Sequence, residues 1–293
     1  MRRSISVGFV VLALAGGLGR TQARAADEEP VALREMTVLD RQNLEANLRW
    51  ILARERAAHA RNASGKKAAP ARVGVFADAG CWHVSARAVA DALETSGVPC
   101  RALDRATLSA EGLAGLEALV LPGGWAPFQA AAAGDAGLAA IKAFAERGGR
   151  VLGICAGGYL VSKSVVWEGK DFPYPLGLFD GTAQGPVTGF APWPERSPAR
   201  MKVTKAGAAR GLDGLAARDI LYYGGATFVG GSGATVLATY ADGGAAIVAR
   251  PVGKGEVIVS GAHLERPAPA DGDDDAPPPA MSGPWLRGLL LPK

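Results

Sequence analysis

RVLGICAGGYL, residues 150–160, consists of an apolar run, a cysteine among small residues and a segment that can form a helix. The pattern predicts a buried strand that turns sharply into a helix, with a nucleophile at the carboxyl end of the strand. The helix, expected over residues 159–163, would direct free N–H groups and a partial positive charge at the sulfur, which favours the thiolate. Cys155 is therefore a predicted nucleophile. This stretch is equally consistent with a packed, unreactive thiol in a glycine-rich turn.

Length and composition favour one domain with extensions. A chain of 293 residues with 48% hydrophobic content can bury one sizeable core. The formal net charge is only +4, and no basic face with interleaved aromatic residues is present. We therefore expect no nucleic-acid partner.

The N-terminus resembles an export signal. Arg2 and Arg3 precede an apolar run at residues 7–18, and Ala23-Arg24-Ala25 fits a small-x-small cleavage site. The run is shorter than the ~20 apolar residues of a spanning helix, so we expect no stable membrane anchor after cleavage near Ala25. The sequence thus predicts a signal peptide at residues 1–25 and a periplasmic or secreted protein.

Residues 26–70 are predicted to form one amphipathic helix and a linker. Apolar residues recur at roughly helical spacing over residues 39–53, and residues 62–70 are small, basic and end in proline. The helix could dock on the domain or on a second subunit, and the oligomeric state stays open.

Residues 71–293 are predicted to form an α/β domain with a core at residues 72–265. Strands at 72–77, 99–103, 118–121 and 150–154 alternate with helices at 84–96 and 138–147, β-rich segments return to the sheet at 257–260, and a last helix covers 285–291. Apolar strands that alternate with helices predict a flavodoxin-like, doubly wound, mostly parallel sheet with helices on both faces. The acidic, proline-rich residues 266–284 are expected to form a solvated loop and not a metal site.

Chemistry-bearing residues follow the strands at one edge of this sheet. Ligands bind at the carboxyl ends of parallel strands, where Gly123, Gly124 and Cys155 fall. His263 follows the last core strand and would serve as the base for Cys155, while Glu265, two residues on, would orient the imidazole. The N–H of Ala156 and one N–H from Gly123 or Gly124 would supply an oxyanion hole.

Three motifs together resemble the signatures of the class I glutamine amidotransferase fold. They are GICAGG at 153–158, LPGG at 121–124 and GAHLE at 261–265. Residues 72–265 more closely resemble the biotin-protein ligase N-terminal domain family, which has that fold, through LFDGTAQGP at 178–186, YYGGATF at 222–228 and VGKG at 252–255. Leu264 stands where amidotransferases usually have proline, which leaves the roles of His263 and Glu265 available.

The resemblance implies hydrolysis of side-chain amide or γ-glutamyl-type bonds in a small molecule or peptide, without a cofactor. No synthase or ligase domain is recognised, so we expect transfer to water and not coupled ammonia transfer. The leading hypothesis is a cysteine amidohydrolase with a Cys155–His263–Glu265 triad. The alternatives are a binding module without turnover and a thiol redox sensor that pairs Cys155 with Cys81.

Further residues are predicted to line the pocket. They are Cys81, Trp82, Tyr159, Tyr222, Tyr223 and Gly224. Cys81, His83, Cys155 and His263 could together be imagined as zinc ligands, but the Cys-x-His spacing and the dispersed partners argue against it, and we predict no metal. Tyrosines at a strand end are as often packing residues as recognition residues.

Overall fold

The computed structural model describes residues 35–65, 69–174, 176–268 and 282–291. The predicted export signal lies outside these ranges, as does most of the predicted acidic loop. Within the described ranges, no helix has the length and apolarity needed to cross a membrane.

The described chain alternates helices and strands as the sequence predicts. The helices are α1 (Val38–Ala63), α2 (His83–Thr95), α3 (Ala110–Leu113), α4 (Ala126–Glu146), α5 (Ala156–Val161), α6 (Lys205–Ala208) and α7 (Ser282–Leu290), with a 3-10 turn at Asp213–Ala217. The strands up to the middle of the chain are β1 (Val73–Phe76), β2 (Cys100–Leu103), β3 (Ala118–Leu121), β4 (Arg150–Ile154), β5 (Ser162–Trp167), β6 (Lys170–Pro173) and β7 (Phe179–Gly185). The later strands are β8 (Ser197–Ala199), β9 (Met201–Val203), β10 (Ile220–Tyr222), β11 (Thr227–Val229), β12 (Thr235–Tyr240), β13 (Ala245–Val252), β14 (Gly255–Ser260) and β15 (His263–Pro267).

The central sheet has eight strands in the order β2-β1-β3-β4-β14-β13-β12-β9. The pairs from β2 to β14 are parallel, and β13, β12 and β9 extend the sheet in antiparallel fashion. Two smaller sheets, β15-β10-β8 and β11-β7-β5-β6, pack beside it. The chain rejoins this sheet at β9, earlier than predicted, and β14 returns it to the parallel part beside β4. The carboxyl ends of β3, β4 and β14 therefore meet at one edge.

Both faces of the central sheet are buried, which explains why its strands are almost continuously apolar. Alternate strand residues belong to two separate cores. One core contains Val73, Val75, Val120, Leu152 and Ile258 with Val89 and Leu93 of α2 and Leu286 and Leu289 of α7. The other contains Phe76, Leu119, Leu121, Val151 and Val257 with Ile141 and Phe144 of α4. The predicted doubly wound architecture is confirmed.

Three predicted helix boundaries are wrong. Helix α4 has two segments separated by a kink at Gly134, which is not helical (φ 61°, ψ 176°), and the prediction from residue 138 found only the second segment. The helix after Cys155 ends at Val161, so Ser162 belongs to strand β5 and not to the helix predicted over 159–163. Helix α7 begins at Ser282, three residues before the predicted start.

Helix α1 docks on the domain of its own chain. Nδ2 of the buried Asn47 donates to the carbonyl oxygens of Asp78 and Cys81, at 3.2 and 3.0 Å. The side-chain oxygen of Asn43 accepts from the backbone N–H of His83 at 3.1 Å. Of the two sequence-based possibilities for this helix, docking on the domain is the one observed, and it holds the loop between β1 and α2.

Candidate active site

Cys155 lies in a strained turn between β4 and α5. Its backbone has φ 50° and ψ −107°, a conformation that costs a residue with a side chain on the order of 1–3 kcal/mol. A Cβ on Gly157 would lie 2.0 Å from the carbonyl oxygen of Leu121, so the turn needs glycine there. The thiol is 5% exposed and donates to the carbonyl oxygen of Tyr223 at 3.4 Å. The geometry is that of the predicted strand-to-helix elbow.

His263 and Glu265 form a buried pair at the start of β15. Nδ1 of His263 lies 2.8 Å from Oε1 of Glu265, and both residues are 0% exposed. The imidazole approaches the loop after β3 so closely that a Cβ on Gly123 would lie 2.3 Å from Cε1 of the ring. Glycine at position 123 thus makes room for the imidazole. The carboxylate fixes Nδ1 as the protonated nitrogen and directs Nε2 away from itself.

The protonation of His263 depends on both neighbours. Burial lowers the pKa of the imidazole, but the charges of Glu265 and Cys155, together with the hydrogen bond to Glu265, raise it to about 10. In the part of the chain that the structure describes, Nε2 has no well-aligned hydrogen-bond partner, so its contact with the sulfur is loose. Such contacts are often loose in an empty site and tighten when a substrate binds.

Ser85 is a functional candidate that the sequence analysis missed. Its Oγ donates to Oε1 of Glu265 at 2.5 Å and accepts from the N–H of Gly123 at 3.0 Å. It is fully buried in the first turn of α2. A hydroxyl in the first turn of the helix that follows β1 faces the same sheet edge, and this position was the only sequence signal that could have indicated it.

The hydrogen bond to Ser85 also limits which N–H groups can form the oxyanion hole. The N–H of Gly123 is occupied by Oγ of Ser85, so it is not available to a substrate oxygen. Gly124 and Ala156 line the cavity next to Cys155, and neither N–H donates to an acceptor among the described residues. Gly124 has φ 139°, and a Cβ there would lie 1.9 Å from the carbonyl oxygen of Gly80, so this loop conformation requires glycine.

A cavity of about 440 Å³ opens beside Cys155. It is lined by Gly124, Trp125, Ala126, Pro127, Cys155, Ala156, Tyr159, Val165, Trp167, Phe172, Tyr174, Trp193, Tyr223 and Gly224. Tyr159, Tyr223 and Gly224 thus line it as predicted from the sequence. The hydroxyl of Tyr159 donates to the carbonyl oxygen of Gly224 at 3.0 Å, and burial keeps the pKa of this phenol well above its ordinary range.

Three residues predicted as pocket-lining lie elsewhere. Cys81 is buried behind the loop and forms a backbone bridge to Gly124. Tyr222 is a core residue whose hydroxyl donates to the carbonyl oxygen of Gly225 at 2.8 Å. Trp82 packs edge-on against the ring of His263, with centroids 5.2 Å apart. Cys81 and Tyr222 thus belong to the two main cores, whereas Trp82 covers the ring of His263 outside them.

The redox alternative gains no support from the position of Cys81. All three cysteines are free thiols. Burial raises the pKa of the Cys81 thiol, which favours its unreactive protonated form.

Groups of three or more His, Cys, Asp or Glu side chains that could hold a metal ion do not occur within the described ranges.

Comparison with known proteins adds the family and fold. The model of a family described as "Biotin-protein ligase, N terminal" matches residues 71–277. A solved structure of a glutamine amidotransferase is similar with 22% identity and a TM-score of 0.51, over 74% of this chain and 98% of that chain. PurLQS from Thermotoga maritima is similar with 18% identity and a TM-score of 0.49, over 76% of this chain and 98% of that chain. A comparison with curated proteins returns no match.

Proposed function

This chain belongs to the family of the biotin-protein ligase N-terminal domain, with a glutamine amidotransferase-like fold, and we propose that it is a cysteine-dependent hydrolase of amide bonds. The observation that carries the proposal is the strained elbow that holds Cys155 beside His263, whose other nitrogen is held by Glu265. The three residues have the roles of nucleophile, proton carrier and orienting carboxylate. Such a triad can hydrolyse an amide with water as its only co-substrate.

In the first half of the reaction, the thiolate of Cys155 attacks the amide carbonyl. A C–S bond forms, the carbonyl π electrons move to oxygen, and the N–H groups of Gly124 and Ala156 donate to the resulting oxyanion. The raised pKa of His263 favours an imidazolium at neutral pH, which stabilises the thiolate beforehand. The imidazolium then gives its Nε2 proton to the leaving nitrogen as the C–N bond breaks, which leaves a thioester and a free amine.

In the second half, water releases the acyl group. The neutral His263 takes a proton from water as its oxygen attacks the thioester carbonyl, and the tetrahedral intermediate expels the Cys155 thiolate. The products are a carboxylic acid and the regenerated thiolate–imidazolium pair. Glu265 stays ionised throughout and holds the ring in one orientation through Nδ1.

Binding without turnover is the second candidate. The cavity has the apolar lining of a small-molecule site, and such a site can bind without reacting. Replacement of Cys155 by alanine separates the two functions, because ligand binding would survive it whereas hydrolysis would be abolished. Retained turnover in Cys155→Ala would contradict the nucleophile assignment.

The experiment that tests the proposal is the pH dependence of iodoacetamide labelling, read by mass spectrometry at each cysteine. A free thiol has a pKa of ~8.5, so labelling of Cys155 that persists well below this value identifies an activated thiolate. Cys100 is the internal control, since burial raises the pKa of its thiol to about 12. Labelling at Cys155 should weaken in His263→Ala. Labelling that follows an ordinary thiol curve would refute the activated triad.

We also propose that the protein is exported, on the basis of the sequence at residues 1–25 alone. Mass spectrometry of the mature protein purified from a cell envelope or medium fraction tests this. A mature N-terminus near Ala26 is expected. An intact N-terminal sequence in the cytoplasmic fraction would contradict export.

A further inference from the structure

Half of the residues that line the cavity beside Cys155 are aromatic. The rings are Trp125, Tyr159, Trp167, Phe172, Tyr174, Trp193 and Tyr223, which come from separate segments of the chain. None of the described residues that line the cavity is an Asp, Glu, Lys, Arg or His. The cavity is therefore a neutral, apolar space with a nucleophile at one side.

The aromatic side chains hold one another in place. Trp193 stacks on Tyr223 with centroids 4.9 Å apart and an interplanar angle of 25°. It also lies over Gly224, where a Cβ would come within 2.6 Å of the indole ring. Trp125 meets Trp167 edge-on at 5.8 Å and 85°. Because these rings already hold one another in place, a ligand that packs on them binds without the entropic cost of ordering their side chains.

Arg196 lies beside the aromatic wall but does not line the cavity. The guanidinium of Arg196 lies 4.8 Å from the ring centre of Tyr223 and 5.3 Å from that of Trp82. Arg196 is not among the residues that line the cavity. A carboxylate packed against this wall would therefore lose water without gaining a charged partner from the residues that line the cavity, and a buried unpaired charge is strongly unfavourable.

We propose that the substrate is a neutral amide with a flat apolar group close to its carbonyl, and that this group packs against the aromatic wall in which Trp125 and Trp193 stack on each other. The inference rests on the proposed function and narrows it. A γ-glutamyl or glutamine substrate with free α-amino and α-carboxylate groups would bring two charges into an uncharged wall. An aromatic ring suits this wall instead, because contacts between aromatic rings are favourable beyond the burial of their area.

The test uses three reagents that share the same reactive chloroacetamide group. They are chloroacetamide, N-benzylchloroacetamide and N-chloroacetylglycine. The rate at Cys155 is measured by mass spectrometry and divided by the rate of the same reagent with glutathione. At pH 9 even an unactivated thiol reacts, so the preference among reagents is measurable whether or not the triad is activated. If the triad does not activate Cys155, labelling at low pH is slow. If the cavity does not favour an aromatic ring, the ratio at pH 9 is the same for the three reagents.

We expect the benzyl reagent to be about tenfold faster at Cys155 than chloroacetamide, and the glycine reagent to be slower than both. Trp193→Leu and Trp125→Leu should each reduce the benzyl preference severalfold. Trp50→Leu is the matched control, because this tryptophan lies on α1 beside Arg54 and outside the cavity. Equal rates for the three reagents, or a preference for the glycine reagent, would overturn the proposal.

Discussion

The hydroxyl of Ser85 lies 2.5 Å from Oε1 of Glu265, the same carboxylate oxygen that accepts from His263. The serine also accepts from the N–H of Gly123 at 3.0 Å. One hydroxyl thus connects the orienting carboxylate to the loop that carries Gly124. Ser85 touches neither Cys155 nor the cavity, so its expected role is to position Glu265 and this loop.

We expect Ser85→Ala to slow iodoacetamide labelling of Cys155 at pH 6 by about tenfold and to move the labelling midpoint towards that of an ordinary thiol. The reason is that Glu265 loses an anchor and holds His263 less firmly. Ser85→Thr keeps the hydroxyl and should restore the midpoint. Ser162→Ala removes another buried serine, whose hydroxyl donates to the carbonyl oxygen of Gly158, and should leave the midpoint unchanged.

Gly123→Ala should reduce the labelling rate at low pH on the order of a hundredfold, because the new Cβ would displace the ring of His263. The measurement is again labelling of Cys155 at pH 6, with circular dichroism to verify the fold. Gly189→Ala is the control, since a Cβ at that position has no heavy atom within 4 Å. Normal labelling in a folded Gly123→Ala would contradict the close approach of imidazole and loop.

The strained backbone of Cys155 leads us to predict how substitutions at this position change stability. We expect Cys155→Gly to be more stable than Cys155→Ala by about 1 kcal/mol, because glycine adopts the positive φ without the steric cost that alanine retains. The exposed position Ala139 in α4 should show the opposite order, with Ala139→Gly less stable than the parent by about 1 kcal/mol. Urea denaturation of the parent, Cys155→Gly, Cys155→Ala and Ala139→Gly tests whether glycine is favoured over alanine at position 155 and disfavoured at position 139.

The raised pKa of His263 makes stability depend on pH. Its pKa of about 10 in the folded protein exceeds the ordinary 6.5, so folding takes up a proton between these values. The stabilisation is complete below about pH 6.5 and is lost as the pH rises through about 10. The stability advantage over His263→Gln should therefore shrink between urea denaturation at pH 6 and at pH 10. An advantage that grows with pH would contradict the imidazolium–carboxylate pair.

The docking of α1 should contribute measurably to stability. Asn47→Ala removes two buried hydrogen bonds to the carbonyl oxygens of Asp78 and Cys81, and we expect a loss of about 1–3 kcal/mol in the free energy of unfolding. Arg49→Ala, on the exposed face of the same helix, removes only a solvent-exposed ion pair with Glu45 and should cost less than about 0.5 kcal/mol. Equal effects in urea denaturation would mean that α1 is not docked in solution.

Local patterns in the sequence determined the parallel sheet, the elbow at Cys155 and the pair His263–Glu265. Each of these depends on short-range rules: apolar strands buried on both faces, small residues at a tight turn, and side chains two residues apart on one side of an extended segment. The same rules do not detect the first segment of α4, which a kink at Gly134 separates from the second.

Only the tertiary structure decided the partners of these residues. Ser85 and Glu265 are 180 positions apart, and Trp125 and Trp193 come from different segments of the chain, so no local pattern relates them. The sequence likewise predicted Cys81 and Tyr222 at the pocket, whereas packing buries both in the core. Contacts across the fold depend on how side chains of different segments fill one shared volume, and that filling is a property of the whole packed chain.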